Sequence, residues 1–326
     1  MITVGVPVYR GELYLAESLR SLQAQTFREF NVLISLDGPQ PESESVCRPF
    51  LEDPRFRLTQ RPERLGWVGN INWLMDQVQT PYWVYQQQDD ILDPGYLQAL
   101  VDEAVARPGA AIVYCDMRAF GALESTFVQE SVLGNALERQ LTLLREHHPA
   151  GCFRGLTRVE ALREAGGVRT NDVDNFSCDT TWMASIARWG ELRRLPALLY
   201  HKRYHGANEH GKWAAWPPEK RARGWVTHCV DMLEEALKIG ADPAGAREIW
   251  QAALRRLVMR RVPYAYLDTA ALSSSDRASL LEGFLTLARE RGLEPPPDAE
   301  RTFASLLENN FAYRQLRRLW CRLRRG

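Results

Sequence analysis

Short apolar runs alternate with amphipathic segments along the first third of the chain. Ile2–Val8, Asn31–Leu36, Phe56–Thr59, Tyr82–Tyr85 and Ala111–Tyr114 have the composition of strands. Leu13–Gln23, the stretch near Ile71–Val78 and Gly95–Ala106 have the spacing of helices. Buried strands separated by helices predict an α/β protein with a doubly wound, mainly parallel, Rossmann-like sheet. Right-handed crossovers then bring the strand ends to one side.

From Phe120 to Pro149 the pattern weakens, which predicts an irregular excursion of the kind that covers sites. A second ordered block follows from Gly151 to Asn208. It holds a helix near Val159–Ala165, a Gly166-Gly167 turn, a helix at Thr180–Trp189 and a strand near Ala197–Lys202. Beyond Pro217 the chain reads as helical, punctuated by Pro217-Pro218, Pro243, Pro263 and Pro295-Pro296-Pro297.

A length of 326 residues suits one large domain or one domain with an extension. Lys+Arg and Asp+Glu both total 41, so no global attraction to nucleic acid follows. The six cysteines, at 47, 115, 152, 178, 229 and 321, are dispersed and form no C-x-x-C pair. That spacing argues against a zinc knuckle or disulfide scaffold and for reduced thiols in a cytoplasm. The chain enters Ile2-Thr3-Val4-Gly5-Val6 without a basic, apolar leader, so no secretory signal is expected. No uninterrupted apolar stretch reaches the ~20 residues that span a bilayer.

The candidate chemistry centres on Tyr85-Gln86-Gln87-Gln88-Asp89-Asp90-Ile91-Leu92-Asp93-Pro94, where two adjacent carboxylates end an apolar strand. Open α/β sheets bind ligands at such ends. Oxygen ligands suit Mg²⁺ or Mn²⁺, and a cation held by Asp89 would neutralise a departing diphosphate. Asp90 or Asp93 ahead of Pro94 would equally cap the following helix. Two further loops fall on the same edge, Pro7-Val8-Tyr9-Arg10-Gly11 and Asp37-Gly38-Pro39. Each is an ordinary turn by itself, but together they fit a nucleotide-sized ligand.

In order and spacing, residues Ile2 to Asn208 resemble the family-two inverting glycosyltransferases with a GT-A fold. The residues that carry the resemblance are Val6-Pro7-Val8-Tyr9, the helix from Leu15 through Ser18, Ser21 and Gln25-Thr26, and Phe30 to Gly38. Arg64-Leu65-Gly66 with Asn72, Asp89-Asp90 with Pro94, Gly166-Gly167-Val168, Cys178-Asp179 with Trp182 and Gly190, and Arg203-x-His205 extend it.

The resemblance implies that Pro7, Tyr9 and Asp37 hold the nucleotide, with Gly66, Asn72, Gln87, Asp89 and Arg203 also on the nucleotide sugar. It implies a divalent cation, Mn²⁺ or Mg²⁺, on Asp89 and His205, and Asp179 as general base. An acceptor hydroxyl must lose its proton as it attacks, and a carboxylate can take it; an Asp at that place also serves as a helix N-cap. Two acids of the family pattern are replaced, by Gln87 and Cys178. Gln87 brings an amide that can bond a hydroxyl but is a poorer metal ligand.

The implied activity is inverting transfer of a sugar from a nucleoside diphosphate donor, UDP or dTDP by preference, to a hydroxyl of a glycan or lipid-linked acceptor. A non-catalytic nucleotide- or glycan-binding module is the alternative. Nucleotidyl transfer ranks below both, because no triphosphate-cradling Gly-rich basic loop is present. The implied organisation is a GT-A domain over 1–212, with a nucleotide-sugar half at 1–116 and an acceptor half at 117–212, then a helical extension at 213–326. Within that extension, Phe311–Arg325 carries Leu316, Leu319, Trp320 and Leu323 at helical spacing among arginines. Such a helix either docks by its apolar stripe or lies peripherally on the inner face of an anionic membrane. Trp213, Trp216 and Trp225 offer either sugar-stacking faces or core.

Overall fold

The computed structural model describes residues 1–146, 150–206, 208, 212–213, 215–258 and 273–306. The segment Phe311–Arg325 lies outside them. Two compact units divide the chain, one of residues 1–139 and 148–211, the other of 140–147 and 212–326.

The first unit opens with β1 (Ile2–Val8), α1 (Leu15–Gln23), β2 (Phe30–Leu36), α2 (Pro41–Cys47), β3 (Phe56–Gln60), α3 (Gly66–Asp76) and β4 (Tyr82–Tyr85). It continues through β5 (Ile91–Leu92), α4 (Tyr96–Ala106), β6 (Ala110–Gly121) and β7 (Ser125–Phe127). After α5 (Ala136–Arg145) come β8 (Leu156–Arg158), α6 (Val159–Ala165), α7 (Cys178–Ile186) and β9 (Glu191–Tyr204). The sheet runs β3-β2-β1-β4-β8-β6-β9-β5, with β7 on the margin of β6. Strands β3, β2, β1 and β4 are parallel, as are β6 and β9, and these ladders hold most of the paired residues. β8, β5 and β7 pair antiparallel.

β1 is central and almost entirely buried, with Ile2, Val4, Val6 and Val8 enclosed on one face and the buried Thr3 hydroxyl paired with that of Thr80 on the other. Its register pairs Val8 with Leu36 and Gly5 with Tyr85, so the chain leaves β1, β2 and β4 at one edge. Gly5 is required by packing. A Cβ there would stand 1.9 Å from Cη2 of Trp83. Gly5→Ala is therefore expected to destabilise the fold by about 1–3 kcal/mol through overpacking; an unchanged urea midpoint would contradict this.

The buried face of α1 mixes Leu15, Leu19 and Leu22 with Ser18 and Ser21. The serines are buried because they bond the loop after β4: Ser18 Oγ donates to the Gln87 carbonyl, and Leu92 N donates to Ser21 Oγ. Gln25 extends the seam, donating to the Asp93 carbonyl and accepting from Leu97 N. A helix with polar groups on its inner face is thus the clamp of the acidic loop.

Several elements differ from the sequence expectation. The stretch from Phe120 to Pro149 is not uniformly irregular, since β6 runs to Gly121 and β7 and α5 follow. α5 begins at a reciprocal cap, Asn135 N donating to Glu138 Oε2 and Glu138 N to Asn135 Oδ1, an Asn-x-x-Glu signal present in the sequence. α2 occupies a segment whose polarity hid it, burying only Ser43 and Cys47. β9 spans Glu191–Tyr204, much longer than Ala197–Lys202, because pairing with β6 sustains it through Pro196.

The second unit contains α8 (Pro218–Leu237), α9 (Pro243–Leu257) and α10 (Ser274–Glu290). Trp225, Cys229, Leu233, Ile249, Leu254 and Phe284 belong to its buried apolar set. Trp225 is core, with its indole N–H bonded to the Leu257 carbonyl, so its face is not offered to a sugar. Buried Arg256 donates to the carbonyls of Leu143 and Glu146 and faces His228 Nε2 at 2.9 Å. The cysteines at 47, 115, 152, 178 and 229 are buried thiols. Among the described residues, no helix is long and apolar enough to cross a membrane.

Candidate active site

The loop after β4 is wired residue by residue. Gln86 is buried and donates through Nε2 to Ser18 Oγ and to the Asp90 carbonyl. Gln88 pairs with the backbone of Tyr9, accepting from its N–H at 2.9 Å and donating to its carbonyl at 3.0 Å. The loops after β1 and β4 are thereby fastened to each other.

Asp90 is fully buried and is no helix cap. Its carboxylate accepts from the Tyr200 hydroxyl at 2.7 Å and Arg203 N at 2.8 Å, with Arg154 Nε at 3.5 Å. Burial and the neighbouring Asp89 push its pKa up to about 6, against the opposing pull of Arg154. The turn into α4 falls instead to Asp93, which accepts from Gly95 N.

Asp89 points elsewhere. Its Oδ2 lies 2.8 Å from His205 Nε2, and both side chains are partly exposed. Arg203 and His205 share one face of the extended chain, as alternation predicts. Yet the Arg203 guanidinium is occupied by the protein. It donates to the Asp89 carbonyl at 3.0 Å and to Glu17 at 2.5 Å, between the rings of Tyr14 and Phe120. His205 also packs beside Tyr14.

Asp37 follows β2 and is 3% exposed. It accepts from Leu65 N and Gly66 N at 2.6 and 3.1 Å, with Arg64 Nε at 3.6 Å. Gly66 has φ +74°, a conformation that favours glycine, and so lets that backbone turn onto the carboxylate. Arg64 then lies 3.8 Å from the Tyr9 ring centroid. Pro7 sits in β1 opposite Ser35. Asn72 is turned away from this group: its amide both donates to and accepts from the Val168 backbone at 2.8 Å, fixing the Gly166-Gly167 turn on α3.

Asp179 lies in the first turn of α7, two residues after the N-cap Ser177, which has φ +58° and makes no side-chain cap. Its Oδ1 accepts from Thr180 N at 2.8 Å. Burial raises the Asp179 pKa, opposed by the Thr180 N–H and by the charges of Arg154 and Lys202. Lys202 is itself buried on β9, which pushes its pKa down to about 8, and Arg154 adds to that effect. Arg154 is the inner cation. Burial opposes its charge, but Tyr200, Asp90, Tyr85 and Asp179 outweigh burial and raise its pKa.

The structure thus brings Asp89, His205 and Arg203 together, groups Tyr9, Asp37 and Gly66 beside them on the same sheet edge, and places Asp179 within the field of Arg154 and Lys202. Arg154, Lys202, Tyr200, Gln88, Tyr14 and Glu17 were missed by sequence reasoning. Lys202 left a signal, a charge alternating with Tyr200 and Tyr204 on one strand face. Arg154 left none, because its importance comes only from what surrounds it.

A divalent cation fits the donor set at Asp89 and His205. Two ligands 2.8 Å apart match neighbouring vertices of an octahedron with bonds of 2.0–2.1 Å, separated by about 3 Å. Among the described residues no group of three or more His, Cys, Asp or Glu side chains could hold a metal, so other vertices would fall to ligand and water oxygens.

An edge of parallel strands is where open α/β sheets bind their ligands, and here that edge carries the acidic loops. Residues 3–165, half of the chain, match glycosyl transferase family 2, and the chain belongs to that family. It is 25% identical over 159 residues to the GalNAc(5)-diNAcBac-PP-undecaprenol beta-1,3-glucosyltransferase of Campylobacter jejuni, covering 47% of this chain and 49% of that protein. The chain spans less than two thirds of the length of the curated relatives it matches. Its fold matches S. aureus TarS 1-349 in complex with UDP-GlcNAc, with a TM-score of 0.62 at 17% identity over 96% of this chain and 91% of that one. It also matches the mannosyltransferase PcManGT from Pyrobaculum calidifontis in complex with GDP-Man and Mn²⁺, with a TM-score of 0.52 at 17% identity over 94% and 84%. The fold is therefore of GT-A type.

Proposed function

We propose that the protein is an inverting glycosyltransferase that moves one sugar from a nucleoside diphosphate donor to a hydroxyl of a cell-surface glycan or lipid-linked acceptor. The observation that carries this reading is the Asp89–His205 pair, 2.8 Å apart and partly exposed at the sheet edge, with Asp179 in the first turn of α7 as a second, separate carboxylate. One carboxylate, Asp89, faces His205 at the exposed edge; the other, Asp179, is poised to accept a proton.

In the proposed reaction Asp179 takes the acceptor proton as the hydroxyl oxygen bonds to the anomeric carbon, while the bond to the diphosphate breaks on the opposite face. Asp89 and His205 would hold a divalent cation, which would neutralise charge on the leaving diphosphate. Tyr9, Asp37 and Arg64, with Pro7 and Gly66 shaping the loops, form the proposed nucleotide end. Arg203 acts there by bracing Asp89, and Asn72 by fixing the turn at Val168.

UDP is the preferred donor nucleotide, with dTDP next; support comes from the UDP-GlcNAc named in the TarS complex. A lipid-linked acceptor is suggested by the undecaprenol in the Campylobacter relative's name, and the Mn²⁺ of PcManGT supports the cation. We place the reaction in residues 1–212, with a cytoplasmic location at the inner membrane face. Gln87 and Cys178, in place of two acids, favour one second reading, a binding module without turnover.

Calorimetric titration with UDP, dTDP, GDP and CDP, with and without Mn²⁺, tests the proposal. Metal-dependent binding of one nucleotide is the expected result. Binding of none, or binding of a nucleotide sugar without its release by any acceptor, would transfer the assignment to the module.

A further inference from the structure

The three glutamines after β4 do not do the same work. Gln86 and Gln88 are spent on Ser18, Asp90 and Tyr9, whereas Gln87 is half-buried beside Asp89. Its Oε1 accepts from Arg154 Nη2 at 2.8 Å. A guanidinium only donates, so it can meet only the oxygen of the amide; the flipped amide would set N–H against N–H.

Arg154 cannot turn aside to allow the flip. Its Nε faces buried Asp90 at 3.5 Å, its guanidinium lies 5.8 Å from the Tyr200 ring centroid, and its carbonyl accepts from the Tyr96 hydroxyl at 2.5 Å. Asp90 is held in turn by Tyr200 and the Arg203 backbone. The amide of Gln87 is therefore oriented by a buried charge network, oxygen towards Arg154 and nitrogen away from it.

We infer that Arg154 is a positioning residue that locks Gln87 as a hydrogen-bond donor towards the bound nucleotide sugar and keeps its oxygen off the cation. The cation then has two protein ligands, Asp89 and His205. This rests on the donor and metal reading of the preceding section. An amide NH₂ has two donors, and with the oxygen held by Arg154 they are the groups that can meet a ligand oxygen. The loss of an acid at position 87 is then no loss of function. The position is rebuilt as a neutral donor whose direction is set from inside the protein.

Three measurements on the full chain test the inference. Mn²⁺ binding followed by electron paramagnetic resonance should be the same within about twofold in wild type and Gln87→Ala, and at least tenfold weaker in Asp89→Ala. UDP affinity without metal should fall about threefold to tenfold in Gln87→Ala, the loss of one hydrogen bond. Metal-free thermal melting of Gln87→Ala, Arg154→Lys and the double variant should give non-additive shifts, because Lys keeps the charge facing Asp90 but lacks the planar fork that reaches Gln87.

A tenfold loss of Mn²⁺ affinity in Gln87→Ala would make the amide oxygen a ligand and overturn the inference. So would unchanged UDP affinity or additive melting shifts. If the wild type bound neither Mn²⁺ nor UDP, the donor and metal reading would fail instead, and the melting cycle would still decide the lock.

Discussion

Asp179→Asn is expected to lower turnover by about 10²–10⁴-fold, the range a positioned general base contributes. Nucleotide affinity should hold within about twofold, because Tyr9, Asp37 and Arg64 belong to other loops. Asn keeps the shape and can still accept from Thr180 N, but it cannot take a proton. The pH dependence supplies a second readout. A base must be ionised to act, and burial raises the Asp179 pKa, so kcat/KM should fall as pH drops through that raised value. The acid limb should lie above that of an ordinary aspartate. Steady-state kinetics across pH, with a thermal melt to confirm folding, makes the test. Retained turnover in Asp179→Asn would remove it from the role of base.

Asp89→Ala is expected to weaken metal-dependent nucleotide binding by on the order of 100-fold or more, since even outer-shell partners of a metal site typically cost 10–100-fold. The effect should be local. Arg203 bonds the backbone carbonyl of residue 89, not its carboxylate, so the brace from Arg203 to Glu17 survives the substitution. His205 loses a partner at a position open to water. Calorimetry of UDP with Mn²⁺ should show the loss, and binding without metal should change little. Metal-dependent affinity within a few-fold of wild type would move the cation away from Asp89.

The contrast between these two carboxylates and Asp90 shows how much environment decides. Asp89 and Asp90 are adjacent and chemically identical, yet one faces a histidine at the exposed edge and the other is enclosed by Tyr200, Arg203 and Arg154. Their strand-end position accounts for the presence of acids, but not for which is the ligand candidate and which the internal anchor. Arg203 makes the same point. Alternation places it beside His205, whereas its partners, Asp89 and Glu17, come from 114 and 186 residues away.

From the sequence alone, the repeating apolar runs determined the parallel β-α organisation, the strand ends at Val8, Leu36 and Tyr85, and the acidic loop beyond them. These are local properties: a strand at the centre of a sheet must be apolar on both faces, and a chain leaving it must turn. The Asn-x-x-Glu start of α5 was equally legible, but its polar surroundings masked it. Only the tertiary structure decided that Asn72 fastens Val168, that Gln87 is held by Arg154, and that Lys202 and Arg154 act on Asp179. A hydrogen bond or a buried charge depends on groups far apart in the chain, and periodicity carries no information about which of them meet.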